Sequence, residues 1–205
     1  MQVLLINGSP NAKKCTYTAL REVEKTLIEQ EIETEIIQVG DKDIRGCTGC
    51  RECKNTGKCV FDDFVNEVAP KFKQAAGVVI GTPVYFASVN GTLVSFLDRL
   101  FYSITEDKSM KVGAAVVSAR RGGCSATFDE LNKYFTISGM PVVSSQYWNS
   151  VHGYTPEDVR KDEEGLQTMR TLGRNMAFLM KSISLGQEKF GLPAKENHVS
   201  TNFIQ

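Results

Sequence analysis

Four of the six cysteines in the chain, Cys47, Cys50, Cys53 and Cys59, fall within the stretch GCTGCRECKNTGKC with the spacing C-x2-C-x2-C-x5-C. Three thiols separated by two residues can curl around one cubic [4Fe-4S] cluster, and a fourth slightly farther along reaches the remaining corner. A single zinc ion suits the run less well, because structural zinc sites usually join two separated Cys or His pairs. Here there is no gap between pairs and no histidine nearby. Arg45, Arg51, Lys54 and Lys58 interleave with the thiols against Glu52 alone. They either offset the negative charge of a thiolate-ligated centre or are ordinary surface charge. Cys15 and Cys124 stand apart from the run and are expected to be small buried apolar side chains.

Three other stretches carry groups suited to a ligand. NGSPNAKKCTYT (residues 7–18) contains neither GxGxxG nor a Walker lysine, so it is no dinucleotide or nucleoside triphosphate fingerprint. It places hydroxyls at Ser9, Thr16 and Thr18 against the start of a helix, where a phosphate can sit, or where Cys15 or Thr16 merely opens the helix. GTPVYFASVNG (residues 81–91) sets Tyr85 and Phe86 among small residues, either beside a flat ring or as core aromatics. SARRGGCS (residues 118–125) offers Arg120 and Arg121, either to an electron-rich ring or the extra phosphate of NADPH, or simply to solvent.

The elements that must position these stretches alternate along the chain. Strand-sized apolar runs at Val3–Ile6, Thr34–Val39, Gly77–Gly81, Val112–Ser118 and Pro141–Gln146 are separated by helical spacings. The helical positions are Leu20, Val23, Leu27 and Ile28; Leu93, Phe96, Leu97 and Leu100; and Phe128, Leu131 and Phe135. Runs such as VVIG and GAAVV do not alternate with polar residues, so both faces of each strand are covered, as in a parallel sheet between two helical layers. The fold class is therefore α/β, a three-layer sandwich around five strands. Asp62–Ala75 reads as a helix that Pro70 should kink or split. After an irregular stretch from Gln146 to Val159, a long helix carries the stripe Leu166, Met169, Leu172, Met176, Leu179 and Ile183, fit for core packing or a dimer seam. Residues 1–185 form one domain with a Cys-rich insertion at 46–61, and residues 186–205 an aperiodic tail.

Length and charge exclude other classes. With 205 residues, Lys plus Arg at 24 and Asp plus Glu at 24, no net field favours nucleic acid or an anionic membrane. The opening MQVLLING lacks a basic region and is too short an apolar run for a signal peptide or a membrane span. The protein is expected in the cytoplasm, where clustered thiols serve metals or redox chemistry rather than disulfides.

Taken together, NGSPNAKKCT, GCTGCRECKNTGKCVFDD, TPVYFASVNGTLVSFLDR, SARRGG and TLGRNMAFL resemble the NAD(P)H-dependent FMN reductases of the flavodoxin-like superfamily, and among them the iron-sulfur flavoproteins. The resemblance implies strand order 2-1-3-4-5 and non-covalent FMN at the edge of strands one and three. It places Ser9, Asn11, Cys15 and Thr16 at the FMN phosphate, and Pro83, Val84, Tyr85, Phe86, Ser88 and Val89 beside the isoalloxazine. Ser118, Arg120, Arg121, Gly122 and Gly123 close the other edge. Asn11 stands where many relatives have arginine. The resemblance assigns a [4Fe-4S] cluster to the four cysteines, yet it also reaches cluster-free flavoproteins in which a similar segment lines the flavin pocket or a subunit contact. It further implies a homodimer or homotetramer, with Trp148 or the loop around His152 of a second chain completing the pocket.

Cofactor chemistry then carries the reaction, and no protein acid–base group is expected, since His152 and His198 lie outside the strand-end loops. The expected activity is hydride uptake from NAD(P)H and electron delivery to a small-molecule or protein acceptor, such as a quinone, an azo or nitro compound, or a flavin. The alternatives are an electron carrier fed by ferredoxin and a nonenzymatic FMN- or zinc-binding regulator.

Overall fold

The computed structural model describes residues 1–197, 199–201 and 203, so His198 lies outside the described residues. Val3, Leu4, Leu5 and Ile6, the middle of β1 (Gln2–Asn7), are fully buried because successive side chains leave a strand on opposite faces and both faces are covered. Leu4 and Ile6 pack with Val78 and Ile80 of β3 (Gly77–Pro83) and Ala115 of β4 (Val112–Ala119). Val3 and Leu5 pack on the other side with Val79, Ala114 and Val116. With β2 (Glu33–Gln38) and β5 (Ser150–His152), these strands make one parallel sheet in the order β2-β1-β3-β4-β5. The flavodoxin-like order expected from the sequence is the one observed.

Helices α3 (Phe64–Gln74), α4 (Gly91–Ser103) and α5 (Cys124–Ile137) cover one face through Phe72, Phe96, Leu97, Leu131 and Phe135. Helices α1 (Cys15–Glu29), α6 (Pro156–Lys161) and α7 (Glu163–Phe190) cover the other through Leu20, Val23, Val159, Met169, Leu172 and Met176. The short α2 (Cys53–Thr56) lies in the cysteine segment. Because α1 follows β1 onto one face and α4 follows β3 onto the other, the carboxyl ends of these two adjacent strands border a crevice.

The structure corrects five readings. The fifth strand is not Pro141–Gln146 but Ser150–His152, with only an isolated parallel bridge between Gly113 and Val142 before it. The buried Asn149 explains the interruption. Its side-chain amide donates to the Ala115 carbonyl at 3.0 Å, taking the place of a backbone ladder bond while residues 144–148 loop away. His152 is consequently the last residue of β5 and stands at a strand end. Helix α3 is continuous through Pro70, which faces solvent, where the carbonyl deprived of its donor can be met by water. Helix α7 runs to Phe190, into the expected tail, and stops at Gly191, whose φ of 75° no longer fits a helix. On α1, Ile28 is exposed rather than part of the buried stripe. Among the described residues, no helix is long and apolar enough to cross a membrane.

Candidate functional site

Loops from the carboxyl ends of β1, β3, β4 and β5 meet around a cavity of about 420 Å³, within the range of small-molecule sites. From the first loop it is lined by Ser9, Asn11, Cys15 and Thr16, and also by Lys14. Helix α1 starts here with Lys14 as its N-cap, and no side chain caps its first amides. The uncapped amides and the positive end of the helix dipole suit an anion. Thr16 is not a cap: its hydroxyl shares a 2.7 Å hydrogen bond with that of Ser118, joining the first loop to the end of β4. The Thr18 hydroxyl instead turns back to the Lys14 carbonyl.

The first loop is shaped by two residues that the motif reading passed over. The fully buried Asn7 accepts from the Ser9 amide at 3.2 Å and donates to Gln38 at 2.6 Å, while Gln38 donates to the Ser9 carbonyl at 2.7 Å. Gly40 packs so tightly on this loop that a Cβ would lie 2.3 Å from the Gly8 carbonyl oxygen, so only glycine fits. The sequence signal of Asn7 and Gln38 was faint, a single polar residue following the apolar pairs Leu5-Ile6 and Ile36-Ile37 at the ends of two strands.

Pro83, Val84 and Tyr85 form a second wall. Tyr85 and Ser88 exchange backbone hydrogen bonds of 3.0 Å around Phe86 and Ala87, whose φ values of 51° and 59° are left-handed. Phe86 thereby projects fully into solvent, outside the cavity wall. Ser88 and Val89 turn away as well: the Ser88 hydroxyl (2.7 Å) and the Val89 amide (3.0 Å) both donate to the Glu130 carboxylate, and the Val89 side chain enters the core. Asn90 accepts from the Leu93 amide and caps α4.

Ser118, Ala119 and Arg120 form the third wall, while Arg121, Gly122 and Gly123 do not line it. Gly123 has φ 94°, and a Cβ there would lie 2.8 Å from Val84 Cγ1, so this glycine lets the third loop press on the second. The fourth wall, Gly153, Tyr154, Thr155 and Pro156, comes from the loop that follows β5 in this chain. Trp148 lies elsewhere, beside Tyr147. The Thr155–Asp158 capping box of α6 fixes this wall. In the sequence it had only the signature of a helix start after an aperiodic stretch.

Cys15 and Cys124 are half-buried, not the buried apolar side chains expected. Burial pushes both thiols up from their ordinary value. Cys124 Sγ lies 3.8 Å from His152 Nε2.

All four clustered cysteines line a second, narrow cavity of about 20 Å³, together with Arg99, Phe61 and Tyr102. Cys53 lies in α2, and Cys59 is fixed by Asn66, which accepts from its amide at 3.0 Å and donates to its carbonyl at 2.9 Å. Cys47 and Cys50 are exposed, on a segment without regular structure. Burial raises the Cys53 thiol, and the neighbouring thiols add to the shift. Among the described residues, no three metal-ligating side chains are close enough to hold a single ion as they stand. A tetrahedral ion draws its sulfurs to roughly 3.8 Å from one another, whereas a cubane holds its ligands farther apart, one at each of four corners. In number and kind of donor, the four free thiols around this cavity match the ligand set of the latter.

Arg99, which the sequence reading missed, completes this site from α4. Its side chain is fully buried, and Nε donates to Cys59 Sγ at 3.2 Å. Burial alone would lower its pKa, but hydrogen bonds to Asp63 and Cys59 more than reverse that and hold the guanidinium charged.

Comparison with known proteins agrees with this geometry. Residues 1–155 match the family described as NADPH-dependent FMN reductase. An iron-sulfur flavoprotein of Methanocaldococcus jannaschii is 37% identical over 191 residues, spanning 89% of this chain and 99% of that protein. One from Methanosarcina thermophila is 28% identical over 197 residues, spanning 92% and 100%. Among solved structures, RosB with bound 8-demethyl-8-formylriboflavin-5′-phosphate superposes with a TM-score of 0.70 at 16% identity, covering 100% of this chain and 94% of that one, a likeness of fold. With a family match over three-quarters of its length and a relative this similar end to end, the chain belongs to the NADPH-dependent FMN reductase family, in its iron-sulfur flavoprotein group, and is a flavin oxidoreductase.

Proposed function

We propose that the protein seats FMN in the cavity at the strand ends, takes hydride from NAD(P)H, and passes electrons to a quinone, an azo or nitro compound, a flavin or a protein acceptor. The observation that carries this reading is the convergence on one cavity of hydroxyls, an uncapped helix start and a largely apolar wall, in a chain of this family. Bound FMN supplies the ability to accept electrons as a pair and release them singly.

The protein's own groups do the rest. Ser9, Asn11 and Thr16, with the first amides of α1 and the Lys14 ammonium, bind the phosphate. Pro83, Val84 and Tyr85 hold one side of the ring against backbone, and Ser118 with Arg120 closes the other. The Arg120 guanidinium favours negative charge on the ring as it is reduced. The second and third loops are kept in register by Ser88 and Val89 on Glu130 and by the close approach of Gly123, at the turn into α5, to Val84. Phe86 and Arg121 are exposed on those loops, outside the cavity lining.

Cys47, Cys50, Cys53 and Cys59 hold a [4Fe-4S] centre, which supplies one-electron transfer. The names of the similar archaeal proteins and the shared thiol cavity support this assignment. A cluster of four cysteines suits a reducing compartment, which supports a cytoplasmic location, and we expect a homodimer or homotetramer.

Mixing the FMN-loaded protein anaerobically with NADPH or NADH tests the reading: the visible flavin absorption should disappear within the mixing experiment. A second reading, an electron carrier fed by ferredoxin, is favoured by the exposure of Cys47 and Cys50, which lets a one-electron partner reach the cysteine site directly. In that case reduced ferredoxin bleaches the flavin and neither nicotinamide does.

A further inference from the structure

We infer that Arg99 is the positioning residue that tunes the cysteine site, its Nε–H stabilising the reduced form of the iron–sulfur centre through the Cys59 sulfur. The inference rests on the [4Fe-4S] assignment above and goes beyond it in naming the group that sets the potential.

The hydrogen bonding of Arg99 is complete, and one bond is unusual. A guanidinium carries five N–H donors. Nη1 donates to Asp63 Oδ2 at 2.6 Å and to the Arg45 carbonyl at 3.3 Å, and Nη2 donates to Asp63 Oδ1 at 2.8 Å and to the Phe61 carbonyl at 3.2 Å. Two parallel bonds to one carboxylate neutralise the charge, and two carbonyls take the remaining Nη protons. The fifth donor, Nε, goes to a sulfur, Cys59 Sγ, at 3.2 Å.

A neutral thiol is a poor acceptor, so a donor on a fully buried cation is badly served by it. A thiolate is a good one. The arrangement therefore fits a Cys59 that carries negative charge, as a metal ligand does. Phe61 covers both Arg99, with its ring centroid 5.2 Å from the guanidinium carbon, and Arg45, at 4.4 Å, which limits competition from water for the same donors. The other N–H···S contact at the site, from the Gly49 amide to Cys47, is longer at 3.5 Å and exposed. Reduction adds an electron to the cluster and its sulfurs, so a donor fixed on a ligand sulfur stabilises the reduced state more than the oxidised one and raises the potential.

The test uses full-length protein prepared anaerobically, with iron and sulfide analysis first. Arg99→Lys keeps a cation for Asp63 but has no planar fork, so it cannot grip the carboxylate at two points and still present an N–H to Cys59. In the fraction of Arg99→Lys protein that holds iron, redox titration followed by electron paramagnetic resonance should show reduction disfavoured about tenfold, a potential about 59 mV lower for one electron. A residue that only stapled the loop would lower iron content and leave the potential of the loaded molecules unchanged, and that result would overturn the inference while sparing the cluster assignment. An iron-free wild-type protein would overturn both.

If Arg99→Lys fails to fold or to load, the decisive measurement moves to protein labelled with ¹⁵N-arginine. It carries Arg51→Lys to remove the other arginine that lines this cavity. A ¹⁵N hyperfine coupling on the reduced centre supports the inference, and its absence from a well-resolved spectrum overturns it.

Discussion

The hydroxyls of Thr16 and Ser118, 102 residues apart in sequence, share a 2.7 Å hydrogen bond in the floor of the strand-end cavity. One opens α1 and the other ends β4, so a single contact fixes the phosphate-side loop against the ring-side loop. Thr16→Ala should weaken FMN binding about tenfold, the size of one hydrogen bond to a charged group. Ser118→Ala should do the same, and the double variant should cost less than the sum, because the two share a bond. Quenching of flavin fluorescence on binding measures all three.

Arg120 should matter to the rate more than to affinity, since its guanidinium serves the ring as negative charge develops. Arg120→Ala is expected to slow anaerobic flavin reduction by NAD(P)H at least tenfold while FMN affinity changes less. Unaltered reduction kinetics would remove Arg120 from the ring.

Glu130 ties down the second loop through the Ser88 hydroxyl and the Val89 amide. Glu130→Ala leaves both donors unpaired and should lower unfolding free energy by about 1–3 kcal/mol, with a faster loss of FMN seen as a higher dissociation rate. Backbone strain at the tip of the same loop has the opposite sign. Phe86 is fully exposed at φ 51°, so Phe86→Gly gives up no packing. It should stabilise the protein by roughly 0.5–1 kcal/mol, relief of a left-handed conformation less the added entropy of glycine. Denaturant titration measures both.

Alkaline stability should depend on Cys124 and Tyr134. Burial raises the Cys124 thiol from its ordinary 9.0, and burial together with the hydrogen bond to Asp98 raises the Tyr134 phenol from 10.0. Both are raised and neutral when protonated, so their contribution is intact below pH 9.0 and declines as the unfolded chain ionises first above it. Unfolding free energy should be level in neutral solution and fall beyond pH 9.0, where Tyr134→Phe should flatten the upper part of the decline.

Much of this was legible in the sequence where one strand or one loop held the whole signal. The runs at β1, β3 and β4 and the loops that follow them pointed to the sheet and to three walls of the cavity. The fifth strand was misplaced because Asn149 supplies a ladder bond from its side chain, and no periodicity registers such a substitution. The wall from Gly153 to Pro156 was expected only as a second chain's loop around His152, because in this chain it follows a strand of only three residues that no apolar run marks. Arg99 was invisible in a different way. It sits between Leu97 and Leu100 on an apolar helix, and its partner Asp63 lies 36 residues earlier, so only folding reveals that a buried cation meets a cysteine sulfur.

The central claim is that the cavity where the loops after β1, β3, β4 and β5 meet is a flavin site. Equilibrium titration of flavin-free protein with FMN, read by fluorescence, tests it most directly. The account predicts saturation at one FMN per chain with a dissociation constant of about micromolar or tighter, weakened by Thr16→Ala. Folded protein that leaves FMN fluorescence untouched across that range would contradict it, whatever the four cysteines hold.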